Sequence, residues 1–405
     1  MLPMTDLLLY NARIFNNINN IILIKNNIIT DLLYLDKNSQ SYKKDLNKLI
    51  NFSKNHLDVN NKWITAGLID CHTHLIFAGD RQQEFTARLS GVSYEQIAKL
   101  GGGINFTVAQ TRAASFEELL NLAKARLEQM LSNGVTTVEI KSGYGLNLDS
   151  EKKILQVAKY LAENYPVTIQ KTFLGAHTVP VEFENKAAEY IDYLAHTVLP
   201  DLINNNLVDA VDSFCESIGF TAKQLRPLYN QAKKYDLLIK GHTEQLSNIG
   251  GAELICEYGG KSCDHLEYAD LNIVKLLKKN KTTAVLLPGA YYYLREKQAP
   301  PIELLREHQV PMAVATDFNP GTSPNISLLN AMNMACVLYR LTPQEVWDGV
   351  TINAARALGL DDKIGSIEIN KQADLIIWDC NHPYDVCYYF GYKWSKTIIK
   401  NGQIL

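Results

Sequence analysis

The chain has almost no surplus of one charge sign: 40 Lys and Arg face 43 Asp and Glu, for a net charge of −3. That excludes the broad cationic footprint of a nucleic-acid or anionic-membrane binder. Long apolar runs are missing too, and none approaches the roughly 20 residues of a membrane span. The first stretch, MLPMTDLLLYNARIF, has an acid where an export signal places bases, and it offers no small-residue cleavage site. Cysteine is sparse: seven, scattered, odd in number and without a CxxC pair. This removes a disulfide framework and a cysteine zinc cluster, and fits a reducing, cytoplasmic setting. No GxGxxG turn opens the first strand–helix unit, which speaks against a dinucleotide fold. Residues 6–36 contain no glycine at all.

In that glycine-free stretch asparagine breaks the apolar runs DLLLYNARIF, NNIILIKNN and IITDLLYLD. Asparagine tolerates the turn conformations glycine usually supplies, so hairpins are expected. Residues 40–61 are polar and poorly patterned and read as a loop with at most one helical turn. The far end, GSIEINKQADLIIWDC and KTIIKNGQIL, is again β-rich, so the two chain ends together read as one small β domain. Between them the pattern becomes strand, turn, helix, repeated. Eight β-rich apolar runs are GLIDCHTH, VTTVEIKSG, VTIQKTFLGAH, LVDAVDSF, LLIKGH, KSCDHLE, TTAVLLPG and VPMAVATD. The gaps hold amphipathic helices such as SFEELLNLAKARLEQMLSNG, and GFTAKQLRPLYNQAKKYD with Thr221 as its N-cap. Continuous apolar strands alternating with helices predict a parallel sheet buried on both faces, and eight of them predict an α/β (β/α)8 TIM-like barrel. The expected division is 1–62 and 351–405 for the β domain and 63–350 for the barrel. An open doubly wound sheet is the runner-up.

Polar residues fall at the ends of these strands. In order they are His72 and His74, Lys141, His177, Asp212 with Glu216, His242, His265, Pro288 and Asp317. Strand alternation points His72 and His74 to one side and sends Cys71 and Thr73 to the other. Barrel active sites lie at the C-terminal ends of the strands, so these groups converge on one mouth. Five of the nine histidines sit there; His56, His196, His308 and His382 fall in loops or helical stretches. His72, His74, His242 and Asp317 make a three-imidazole, one-carboxylate set suited to Zn²⁺ or Fe³⁺, one ion per subunit, with a position left for water. Metal-bound water ionises near pH ~7, giving a hydroxide nucleophile. Asp317 would take its proton, and His265 would orient the hydroxide or a substrate oxygen or serve as a hydrogen-bonding support. Asp317, His265 and His242 are thus the catalytic candidates.

An HxH after the first strand, single histidines after the fifth and sixth, and an Asp after the eighth resemble the amidohydrolase superfamily. The resemblance covers essentially the whole chain. It implies a metal-dependent barrel carrying a small β-sandwich made from both chain ends. Within the superfamily, DCHTHLIFAGDR, KSGYGL, FLGAHTVP, TEQLSNIGGAEL, CDHLEY and ATDFNPGTSP resemble the branch that opens an imidazolone ring. The implied reaction is hydrolysis of 4-imidazolone-5-propanoate to N-formimidoyl-L-glutamate, the metal-bound hydroxide attacking the ring amide carbonyl. A propanoate tail calls for a cation, and Arg81, seven residues after His74, offers a forked guanidinium. The resemblance further assigns substrate contacts to Tyr144, His177, Gln245, Asn319, Gly321 and Thr322, and less firmly to Tyr94. It implies a homodimer acting on a small molecule, with neither nucleic acid nor membrane as partner.

One position departs from related deaminases, which carry a Glu three residues after the third metal histidine. Here that residue is Gln245, with Glu244 one place earlier. A Gln hydrogen-bonds but shuttles no proton, which leaves that task to Asp317 or, alternatively, to Glu244. The rival readings are an aminohydrolase for a substrate without a carboxylate tail, and a barrel that only binds its ligand.

Overall fold

The computed structural model describes residues 4–92 and 102–405. Eight parallel strands form one sheet in sequential order: β1 (Leu68–Asp70), β2 (Val135–Lys141), β3 (Thr168–Ala176), β4 (Ala210–Cys215), β5 (Leu238–Thr243), β6 (Ser262–His265), β7 (Thr283–Leu286) and β8 (Met312–Val314). All eight expected runs form strands. The ring closes just beyond β1 and β8, where Asp317 N donates to His72 O at 3.0 Å and His74 N to Phe318 O at 2.9 Å. Helices cover the outside. Cys71 faces them, packed with Ile69, Val285, Ala313 and Ala354. The helices Phe116–Ser132 and Ala222–Lys234 both open with a capping box, Ser115 with Glu118 and Thr221 with Gln224. Each box satisfies amides that the first turn leaves unpaired.

Two further sheets are built from the chain ends. One has the order Ile28–Leu33, Ile21–Lys25, Thr5–Tyr10, Ser53–Asp58. The other runs Gln403–Ile404, Lys396–Lys400, Leu375–Trp378, Trp63–Ala66, Arg13–Ile14. They share an aliphatic layer in which Leu7, Leu9, Ile22, Ile24 and Ile29 of one meet Ile64, Leu375, Ile377 and Ile399 of the other. Asparagine does replace glycine in the turns. Asn26 and Asn27, at φ +50° and +68°, form the two-residue turn between Ile21–Lys25 and Ile28–Leu33.

The structure corrects the reading of residues 40–61. They contain a ten-residue helix, Tyr42–Asn51, and the strand Ser53–Asp58, which pairs in parallel with Thr5–Tyr10. Leu49 and Ile50 of that helix reach the small cluster of Leu8, Ile21 and Leu23. With Tyr42 and Leu46 they form an i, i+4, i+7, i+8 stripe that the sequence reading passed over among the surrounding Lys and Asn. Trp63–Ala66, expected to lead into the barrel, hydrogen-bonds instead to Leu375–Trp378 in the end sheet. Gly67 makes the break between the two sheets: a Cβ there would meet Thr136 Oγ1 at 2.2 Å. At the other boundary, the helix Ile352–Ala357 packs on the barrel, its alanines lying against Ile69, Val285 and Ala313. No helix among the described residues is long and apolar enough to cross a membrane.

Candidate metal centre and active site

β1 ends where the Asp70 carboxylate accepts Thr316 N at 3.1 Å and Thr316 Oγ1 at 2.6 Å, tying its exit to that of β8. Past this tie the chain delivers His72 and His74 to the barrel mouth. Ligand atoms of His72, His74 and His242 all lie within 4.8 Å of one another. Asp317 Oδ1 sits 3.3 Å from His72 Nε2 and 3.4 Å from His74 Nε2. Donors placed 2.0–2.1 Å from a common tetrahedral centre are about 3.3 Å apart. The Nε2 atoms of His72 and His242 are buried with no hydrogen-bond partner among the described residues. Such orphaned, converging lone pairs fit a bound metal ion.

The far sides of His72 and His242 fix their tautomers. His72 Nδ1 meets Asp264 Oδ2 at 2.6 Å, and His242 Nδ1 meets Asp212 at 3.1–3.2 Å. With Nδ1 protonated against a carboxylate, Nε2 is free to bind metal. Burial, and then the Lys141 charge, pushes the His72 imidazolium below its ordinary range, and burial does the same for His74. Both are therefore neutral.

Beneath the donors lies a charged network with no exposure to solvent: Glu139, Lys141, Asp212, Lys240 and Asp264. Lys141 Nζ donates to Asp212 Oδ2 at 2.6 Å and lies 2.9 Å from Glu139 Oε2. Lys240 Nζ is 2.9 Å from that same oxygen and donates to Cys71 O at 2.9 Å. Thr172 and Ser262 hydroxyls donate to Glu139 and Asp264 at 2.6 Å each. Burial opposes the charge on Asp264, and Lys240 and Lys141 overcome it. Of these residues the sequence reading named Lys141 and Asp212 as strand ends and missed the others as site components. Alternation places Glu139 and Lys240 on the inner face, because Glu139 with Lys141 and Lys240 with His242 are i, i+2 pairs like the HxH; Asp264 has no such partner.

The expected substrate residues divide into two groups. His177 stacks on His74 with ring centroids 5.3 Å apart, and Tyr144 stands 5.5 Å from His177 and 5.9 Å from His74. His265 lies 5.5 Å from His242, and burial brings its imidazole down to about 3, so it too is neutral. Tyr144 is held by a device the sequence reading missed. Glu151 accepts the amides of Gly143, Gly145 and Leu146, shaping the SGYG loop around one carboxylate. The second group organises loops. Asn319 Oδ1 accepts Gly321 N at 2.8 Å and Thr322 N at 2.7 Å, while its Nδ2 donates to Asp317 O at 2.7 Å. The Gln245 amide donates to Glu216 at 2.6 Å. Both Glu244 oxygens accept helix amides, Gly251 and Ala252, at 3.0 Å. Glu244 is thus engaged away from the donor cluster. Arg81 reaches the mouth paired with Glu84. Tyr94 lies outside the described residues.

Arg126 was also missed. It donates to Leu75 O and Phe77 O at 2.8 Å each and lies 3.6 Å over the Phe77 ring. It thereby pins the loop that follows His74.

Residues 63–405 match the amidohydrolase family. An imidazolonepropionase of Colwellia psychrerythraea is 52% identical over 86% of this chain and 83% of its own length. That of Vibrio parahaemolyticus is 53% identical over 86% and 83%. Among solved structures, a triazine hydrolase variant superposes with a TM-score of 0.75 at 15% identity, covering 98% of this chain and 94% of its own. An adenosine deaminase from Xanthomonas campestris, with bound zinc, gives 0.72 at 16% identity over 99% and 93%. These two share the fold. The metal-donor barrel, the match across residues 63–405 and relatives at about half identity together place the chain in the amidohydrolase family, among the imidazolonepropionases.

Proposed function

We propose that the protein hydrolyses 4-imidazolone-5-propanoate to N-formimidoyl-L-glutamate in histidine degradation. The observation that carries this reading is the convergence of His72, His74, His242 and Asp317, with unpartnered Nε2 atoms, beside a rim that presents Arg81. These four residues would hold the metal, Zn²⁺ or Fe³⁺, one per subunit; three imidazoles and a carboxylate suit either. A bound cation supplies Lewis acidity and a water that ionises near neutral pH.

The side chains provide the rest. Asp317 contacts the histidines through Oδ1, leaving Oδ2 to take a proton from the attacking water, whose oxygen bonds to the ring carbonyl carbon, and to pass it to the ring nitrogen as the amide C–N bond breaks. Neutral His265 donates a hydrogen bond to the carbonyl oxygen as charge develops there. His177 and Tyr144 flank the ring, Gln245 hydrogen-bonds it, and Arg81 meets the tail carboxylate. Asn319, with Gly321 and Thr322, shapes the loop that closes over that tail. Glu244 has no part in proton transfer, because both its oxygens cap a helix. A homodimer in the cytoplasm belongs to the same reading. Exposed Tyr388, Phe390 and Tyr392 supply apolar surface for a second subunit. The division into a barrel and an end domain made from both chain ends belongs to this reading too, with Trp63–Ala66 on the end-domain side and Ile352–Ala357 on the barrel side.

The test is turnover of imidazolone propanoate together with elemental analysis. About one transition-metal ion per chain is expected, with turnover lost on chelation and regained on metal return. His242→Ala should empty the site with the barrel intact. Full metal content in that variant, or turnover indifferent to chelation, overturns the assignment.

A further inference from the structure

The helix Gln82–Leu89 buries none of its residues. A surface helix ordinarily turns an apolar stripe inward. Here the positions spaced i, i+3, i+4 and i+7 are Arg81, Glu84, Phe85 and Arg88, and this charged face is the one that meets the barrel mouth. Phe85 stacks on Tyr293 at 5.4 Å, and the Arg88 guanidinium lies 5.1 Å from the same ring. Arg88 Nη2 donates to Gly321 O at 3.3 Å. An inward face made of charges is suited to a ligand rather than to a core.

Glu84 is the centre of this face. Its Oε2 accepts Arg81 Nε at 2.9 Å and lies 2.9 Å from Arg81 Nη2, and its Oε1 accepts the Gly103 amide at 2.7 Å. The two side chains are only 9% and 12% exposed. The other edge of Arg81 rests on Gly321, where an added Cβ would stand 2.0 Å from Nη1. One edge of the fork is therefore engaged by Glu84, and Nη1, standing where only a glycine fits beneath it, is left without an ion-pair partner among the described residues for an incoming carboxylate. The guanidinium is fixed in orientation before any ligand arrives.

Resting on the function proposed above, we infer that Glu84 is a positioning residue that sets specificity for the carboxylate tail. By holding the Nε–Nη2 edge it decides which side of Arg81 the tail meets and keeps the guanidinium at a fixed distance from the ring site. This corrects the simpler view of Arg81 as a free fork, because its Nε–Nη2 edge is already occupied.

The test compares two probes of the unsubstituted enzyme and its variants by calorimetry: 3-(imidazol-4-yl)propanoate and the corresponding propanamide. Neither is turned over, so the result does not depend on catalysis. The preference for the carboxylate should fall about tenfold in Glu84→Ala. It should return to within about threefold of the original in Glu84→Gln, whose carbonyl oxygen still accepts from Nε. In turnover, Glu84→Ala should raise KM about tenfold while kcat moves less than about threefold. An undiminished carboxylate preference in Glu84→Ala, or equal weakening of both probes, overturns the role of Glu84. An enzyme that binds the carboxylate probe with the expected preference yet fails to hydrolyse imidazolone propanoate counts against the proposed reaction and leaves Glu84 in place as the tail determinant.

Discussion

Between the end sheets, Leu7, Leu9, Ile22 and Ile24 meet Ile64, Leu375, Ile377 and Ile399 in a layer of plain hydrocarbon. Inside the barrel mouth, Glu139, Lys141, Asp212, Lys240 and Asp264 are as deeply buried, and every one carries a formal charge. Aliphatic burial stabilises at about 25 cal/mol per Å² and asks little of geometry. Buried charges contribute little net stability and are costly to leave unpaired, but each fixes the position of the next. The end sheets show how this chain secures a fold. The barrel interior shows stability being exchanged for the placement of three imidazoles that could hold a metal, with Asp317 beside them.

The sharpest way to break that comparison is Lys141→Met. It leaves Asp212 and Glu139 without their shared cation and should destabilise the metal-free protein by about 3–5 kcal/mol in chemical denaturation. Metal affinity should fall about 10–100-fold as well, because Asp212 orients His242. A loss below about 1 kcal/mol with unchanged affinity would show that the network is filler. Next in size, Arg81→Ala should lower kcat/KM by about tenfold to a hundredfold, the ~1.5–3 kcal/mol of a lost charge-assisted contact. Arg81→Lys should recover only part of this, since an ammonium cannot keep both the Glu84 pair and the tail contact. Steady-state kinetics decides, and full recovery by Lys would refute the role of the planar fork. On the other side of the comparison, Ile24→Val in the end layer should cost about 0.5–1.5 kcal/mol of stability with kcat/KM unaltered. A change in kcat/KM would mean that the two regions are coupled. The smallest effect belongs to Glu244→Gln, which should hold kcat/KM within about threefold, because the carboxyl caps a helix and does not face the donors. Loss of the chemical step with binding retained would return Glu244 to the proton path.

Much of this was open to reading from residue order alone. Eight β-rich runs and the polar residues at their ends gave the barrel and its mouth, and alternation across His72 and His74 gave the direction of the site. What escaped notice did so for physical reasons. A charged residue within a strand reads as solvent-facing, and nothing local says that the inner face of a barrel strand is sealed; Glu139 and Lys240 were passed over on that account. Glu151 gathers the amides of a loop five to eight residues before it, and the hold of Glu216, noted only as a strand end, on Leu246 spans thirty residues, a reach that no periodicity encodes. WITAGLID looks like one strand because its apolar run is unbroken, yet Gly67 hands its halves to different sheets. The helix Tyr42–Asn51 does carry a helical stripe in Tyr42, Leu46, Leu49 and Ile50, but none of its residues is fully buried, and the polar residues around the stripe masked it.

The backbone clasp between His72 and Asp317 joins residues 245 positions apart, and this has a consequence for synthesis. A ribosome delivers the first two donors early and the last one only after three quarters of the chain has been made. Until Met312–Val314 inserts between β7 and β1, the nascent sheet has two open edges and no donor set. Assembly of His72, His74 and His242 with Asp317 and sealing of those edges therefore become a single event. Chains cut short before that point should be both metal-free and prone to aggregate, so a nonsense mutation late in the reading frame is as damaging to the site as one near its start.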